Sequence, residues 1–151
     1  MLTAIMKIFS ESFVIEETDD IERQLQLATA ALLIEVMKQD HSIHPEERTA
    51  VKAALQENFS LTDDETQALF DLAKQQADSA VDYYQFTSLI AKECSPEQKI
   101  RIMEYLWMIA YADTQLDALE EHMIRRIADL IYVPHRDFIQ TKLKIERSLR
   151  H

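Results

Sequence analysis

From residue 20 onward, apolar positions recur every three to four residues, and polar or charged side chains fill the places between them. That period marks the buried stripe of an amphipathic helix. Ile21, Leu25, Ala28, Leu32 and Val36 form one stripe, widened by Leu33 and Met37, and predict a first helix from about Asp20 to Lys38. A second is expected from Pro45 to about Glu57. Thr62-Asp63-Asp64-Glu65 is a capping box, in which hydroxyl and carboxylate each accept an orphan backbone amide, and it opens a third helix carrying Leu69 and Leu72. Asp82 caps a short fourth with Phe86, Leu89 and Ile90, and Ser95-Pro96-Glu97-Gln98 opens a fifth.

The fifth helix, Pro96 to about Ala112, is apolar on most sides through Ile100, Ile102, Met103, Leu106, Trp107, Met108 and Ile109, so it is expected at the centre. A sixth, Asp117 to Ile131, turns Met123, Ile124 and Ile127 inward. Pro134 opens a seventh with Phe138, Ile139, Leu143 and Ile145. The expected fold is all-α: about seven helices in one compact domain over residues 20–151, preceded by an N-terminal segment, 1–19. Within that segment, Met1–Phe13 reads as a short amphipathic helix packed on the domain or on a partner.

Composition narrows the function classes. The chain has no glycine among 151 residues, where average usage is about 7%. Neither a phosphate-cradling P-loop nor a GxGxxG dinucleotide fingerprint can be built. The formal charge is −11, a field that repels nucleic-acid backbones and anionic lipid surfaces. Cations and basic protein surfaces match it better. Cys94 is the single cysteine, without a disulfide partner or a CxxC neighbour, and reads as a structural thiol. Met1 to Phe13 lacks a basic leader and a cleavage pattern, and no apolar run reaches membrane-spanning length, which points to cytoplasmic residence.

Sliding the sequence against itself by 73 positions superposes two helix-loop-helix units. Leu33 falls on Leu106, Asp40 on Asp113, Ile43 on Leu116, Glu47 on Glu120, Val51 on Ile124 and Ala54 on Ile127. In each unit an Asp ends one helix and a Glu lies in the first turn of the next. With His44 or Asp117 at the N-cap, Glu47 and Glu120 occupy N3, where a carboxylate opposes the positive helix end. An Asp near a helix C-terminus faces unsatisfied carbonyls, which is unfavourable by itself. Two accounts of Asp40 and Asp113 follow: each accepts amides of the loop behind it, or each joins nearby carbonyls and the Glu in holding a hard cation.

Ile109-Ala110-Tyr111-Ala112-Asp113 leading to Glu120, and Val36-Met37-Lys38-Gln39-Asp40 leading to Glu47, resemble the repeated acidic loop of the tellurite-resistance TerB family. The resemblance covers about residues 20 to 150. It implies an all-helical bacterial cytoplasmic domain, working in stress-response assemblies rather than as an enzyme. By position it implies Asp40, Glu47, Asp113 and Glu120 as ligands of a divalent cation, Ca2+ or Mg2+. His41 and Thr114 stand where the family usually carries glycine, which restricts positive φ in these loops.

The leading functional class is a non-catalytic interaction module with protein partners, a second copy of the chain among the candidates. A metal-dependent enzyme is the runner-up, although no nucleophile with its base and no Glu-x-x-His motif of di-iron bundles occurs. His41-x-x-His44 offers transition-metal donors in one unit only, since Thr114 and Asp117 replace them in the other. A plain scaffold, with the carboxylates acting only as caps, is the third reading.

Overall fold

The computed structural model describes residues 17–39, 45–112 and 116–149, with side chains from residue 21. Seven helices account for nearly all of these residues, and none is in a strand. We label them α1 (Glu17–Met37), α2 (Pro45–Phe59), α3 (Asp63–Ser79), α4 (Tyr84–Glu93), α5 (Pro96–Ala110), α6 (Ala118–Leu130) and α7 (His135–Leu149). The Met1–Phe13 segment expected to be amphipathic lies outside the described residues. No helix among them is long and apolar enough to cross a membrane.

Local chemistry accounts for the helix starts. The Thr62 hydroxyl accepts from Glu65 N at 3.2 Å while Glu65 Oε1 accepts from Thr62 N at 2.9 Å. Ser95 and Gln98 repeat the exchange at 3.2 and 2.8 Å, with Pro96 as the first helical residue. The fourth start differs by one residue from expectation. Tyr83 takes the cap position, and Asp82 Oδ1 accepts from Tyr84 N at 2.9 Å.

Lack of glycine shows at two helix ends. Past α2, Ser60 adopts φ 54°, and past α6, Tyr132 adopts φ 64°. Each permits the backbone bond that closes the helix, Leu61 N to Gln56 O at 3.1 Å and Val133 N to Ala128 O at 2.8 Å. These are left-handed end turns that glycine forms without steric cost.

Two helices share the centre. In α5, Met103, Leu106, Trp107 and Ile109 are fully buried, as its composition predicts. The second half of α1 is equally enclosed: the run Ala28 to Met37 is buried apart from Glu35. Its small residues Ala28, Ala30 and Ala31 are buried as well, and α1 contacts α2, α3, α4, α5 and α6, a wider burial than a single stripe foretells. Conversely Ile21, Met108, Ile139 and Leu143 are exposed. α7 packs on α5 and α6 through a narrower stripe, Phe138, Thr141 and Ile145.

The first three helices pack mutually, α1 on α2 and α3 and α2 on α3; α5, α6 and α7 do likewise, and α4 bridges α1 and α6. Of the residue pairs matched by the shift of 73, Leu33 and Leu106, Val51 and Ile124, and Ala54 and Ile127 are buried in both members, whereas Ala28 is buried and Arg101, 73 residues on, is exposed.

Candidate metal centre

Both candidate glutamates belong to a helix start. Pro45 begins α2, and Glu47 is its third residue. Asp117 caps α6 by accepting Leu119 N at 2.7 Å, which puts Glu120 at N3. α2 and α6 each lean on both central helices, α1 and α5. That packing turns the first-turn glutamate inward, and both Glu47 and Glu120 have 0% exposure.

A glutamate that only caps a helix needs no such burial. Gln98, which does reach back to its N-cap, is exposed, and Glu65 is half-buried. In α6 the carboxylate of Asp117 already serves the N-terminal amides, and the residue flanking Glu120, Glu121, is half-buried and accepts a bond from Lys142 Nζ at 3.1 Å. Charged groups are almost never fully buried without a compensating partner. Two of them at matching places form the most unusual polar feature of the core.

The aspartates of the pattern, Asp40 and Asp113, lie outside the described residues, as do His41 and His44. Among the described residues, no group of three or more His, Cys, Asp or Glu side chains is disposed to hold a metal ion. Glu47 and Glu120 are therefore the two described members of the expected ligand set.

Side chains from distant helices fix the approach to each loop, and the sequence reading had not singled them out. Before the first loop, Lys38 pairs with Asp78 of α3 at 3.2 Å and with Glu35 at 3.7 Å. Burial raises the Glu35 carboxyl, with Lys38 opposing. Before the second, Tyr111 ends α5 and donates its phenol to Glu146 Oε1 of α7. Burial, reinforced by that carboxylate, holds the Tyr111 hydroxyl well above its ordinary value. Past residue 117, Lys142 donates to Glu121, so α7 contacts a residue of α6 as well as the end of α5. The one available signal was position, since Tyr111 lies two residues before Asp113.

These features define an acidic, all-helical domain with two buried first-turn glutamates, each following a loop anchored by a neighbouring helix. A family model described as tellurite resistance protein TerB matches residues 26–143, a span that contains both loops. The chain belongs to the TerB family. No curated protein and no solved structure matches it.

Proposed function

We propose that this TerB domain is a non-catalytic cytoplasmic interaction module that binds a divalent cation through its two acidic loops and acts in stress response, tellurite among the stresses. The observation that carries the reading is the complete burial of Glu47 and Glu120 at matching helix starts. Asp40 and Asp113, seven residues upstream of each, supply the further oxygens that a hard cation requires. Neither loop contains a thiol and only the first carries histidines, so the ion that suits both is Ca2+ or Mg2+. Depending on how the pseudo-symmetric units pack, the four carboxylates make two equivalent sites or one shared site. An ion held there joins each Asp to the Glu of the following helix, and the loops face a protein partner.

The test is thermal unfolding of wild type and of Asp113→Asn with Glu120→Gln, each with saturating ion and with chelator. An ion at a hundred times its Kd adds about 2.7 kcal/mol, roughly 5–10 °C for a domain of this size. The wild type is expected to show that shift and the double variant to lose the second-unit share. Equal shifts in the two proteins overturn the second-unit site and leave its carboxylates as caps.

A further inference from the structure

The chain as a whole is strongly acidic, with 27 Asp and Glu against 16 Lys and Arg. Its last described helix reverses that balance: α7 carries Arg136, Lys142, Lys144 and Arg147 against Asp137 and Glu146. Arg136, Lys144 and Arg147 are exposed, and so are Ile139, Gln140 and Leu143. These residues recur at i, i+3, i+4, i+7, i+8 and i+11, so they share one face of α7, away from the buried stripe of Phe138, Thr141 and Ile145.

The acidic groups on and beside this face are engaged or offset. Glu146 accepts from the Tyr111 phenol, Glu104 of α5 pairs with Lys144 at 3.0 Å, and Glu121 of α6 pairs with Lys142 at 3.1 Å. Asp137 is half-buried in the first turn, where the positive helix end favours a carboxylate. α6, which packs on α7, adds exposed Arg125 and, one turn on, exposed Asp129, of opposite sign. Among the described residues, no carboxylate forms an ion pair with Arg136 or Arg147. The face is therefore net cationic.

A shallow groove runs along it, between a row of Gln140, Lys144 and Ser148 and a row of Leu143 and Arg147. Residues within each row are four apart, the ridge spacing by which helices most often interlock. We propose that the outer face of α7 docks an acidic amphipathic helix of a protein partner. An apolar i, i+4 ridge of that helix enters the groove against Leu143, and its flanking carboxylates meet Arg136, Lys144 and Arg147. A helix is about 10–12 Å across, and charges more than about 8 Å away are screened at physiological ionic strength. Such a partner meets the cations of α7 and little of the acidic remainder. A bilayer plane is wider and meets that remainder too, with only Ile139 and Leu143 on this face to bury. A second copy offers acidic surface, but joining it to α7 makes a head-to-tail contact that propagates into filaments unless it closes.

The experiment titrates a fluorescein-labelled helical peptide into the full-length protein. The peptide is about 18 residues long, enough to span the roughly 16 Å from Arg136 to Arg147, with leucine at i, i+4, i+7 and i+11 and mainly glutamate elsewhere. Chelator is present, because the proposal does not depend on an ion at the acidic loops. Wild type is expected to bind this peptide roughly tenfold more tightly than a scrambled peptide of the same composition, and less tightly as salt rises. Arg136→Glu with Arg147→Glu should weaken binding roughly tenfold, since two attractions become repulsions. Ile139→Ser with Leu143→Ser should weaken it comparably by removing the apolar seat. Lys92→Glu with Arg101→Glu makes the same change in net charge on other helices and should bind within about twofold of wild type. All substituted positions are exposed, and matching circular dichroism and melting temperatures verify the fold. Equal affinity in wild type and the Arg136, Arg147 variant overturns the proposal, as does an equal loss in the Lys92, Arg101 control. Failure of wild type to bind the peptide overturns it too. In that case, sedimentation of wild type but not the Arg136, Arg147 variant with phosphatidylglycerol vesicles assigns the face to a membrane, and self-association lost in that variant assigns it to a second copy.

Discussion

Truncating Trp107 tests the packing that places both acidic loops. The chain's single tryptophan is 0% exposed. Its indole Nε1 donates to Thr141 Oγ1 at 3.1 Å, and its ring centroid lies 5.1 Å from that of Phe138. Thr141 in turn donates to its own helix, with Asp137 O at 2.8 Å and Phe138 O at 3.0 Å, so its remaining acceptor capacity serves the indole. A tryptophan buries about 200 Å2, which at about 25 cal/mol per Å2 is roughly 5 kcal/mol. Alanine retains part of this and leaves a cavity, so Trp107→Ala should cost about 3–5 kcal/mol. That is a large share of the roughly 5–15 kcal/mol typical of a whole domain, and gentler variants give the sharper measurement. Trp107→Phe should cost about 2 kcal/mol, and Thr141→Val, which leaves the indole N–H in the core without an acceptor, about 1–3 kcal/mol. Because the two losses share one hydrogen bond, the double variant should fall short of their sum by about 1 kcal/mol. Urea unfolding followed by far-ultraviolet circular dichroism measures all three. Strictly additive costs, or red-shifted fluorescence readily quenched by acrylamide, would refute the buried pair.

Tyr132→Gly and Ser60→Gly should each raise stability by about 0.5–1 kcal/mol, since glycine relieves the left-handed strain at these helix ends; a lower melting temperature for both would count against that strain. The pH prediction concerns Tyr111, whose folded-state value is raised by burial and by Glu146. The neutral phenol is the form the fold favours, so its contribution is complete below the unfolded value of about 10 and is lost as pH rises through the folded value. Tyr111→Phe should therefore cost about 1–2 kcal/mol at neutral pH and flatten the alkaline limb of stability, whereas an unchanged limb in a pH series of urea melts would contradict the assignment.

Helix number and order were legible because capping boxes are local: Thr62 with Glu65 and Ser95 with Gln98 declare themselves within four residues. Width of burial was not. Periodicity reveals where a stripe runs but not how many neighbours cover it, so Ile139 and Leu143 of α7 look like core positions and are exposed. The alanines Ala30 and Ala31 of α1 lie off the predicted stripe and are fully buried, because α1 is contacted by five helices. In the candidate site, the spacing of 73 paired Glu47 with Glu120 without revealing their burial, which depends on α2 and α6 both leaning on α1 and α5. The anchors of the second loop, Tyr111 to Glu146 and Lys142 to Glu121, join residues 35 and 21 positions apart. No local pattern encodes such contacts.

The energetics of the buried glutamates constrain what meets them. Moving a carboxylate from water into a protein interior costs several kcal/mol after relaxation. The positive end of a helix returns up to about 2 kcal/mol in a partly buried geometry, and the background of a chain with formal charge −11 is adverse to a further buried negative charge. Helix dipoles alone therefore leave a remainder, which a proton, a cationic side chain or a divalent ion can cover. These compensators respond differently to Glu→Gln. A protonated glutamic acid is nearly isosteric with glutamine, so substitution there is mild and independent of chelator. Removing one member of a buried ion pair strands the other charge and costs about 3–5 kcal/mol, again whether or not chelator is present. With a bound divalent ion, glutamine removes a ligand, so its effect is large in saturating ion and shrinks when chelator has already stripped the wild type. Dependence of the substitution cost on chelator, rather than its absolute size, is the signature that separates an ion at Glu47 and Glu120 from the alternatives.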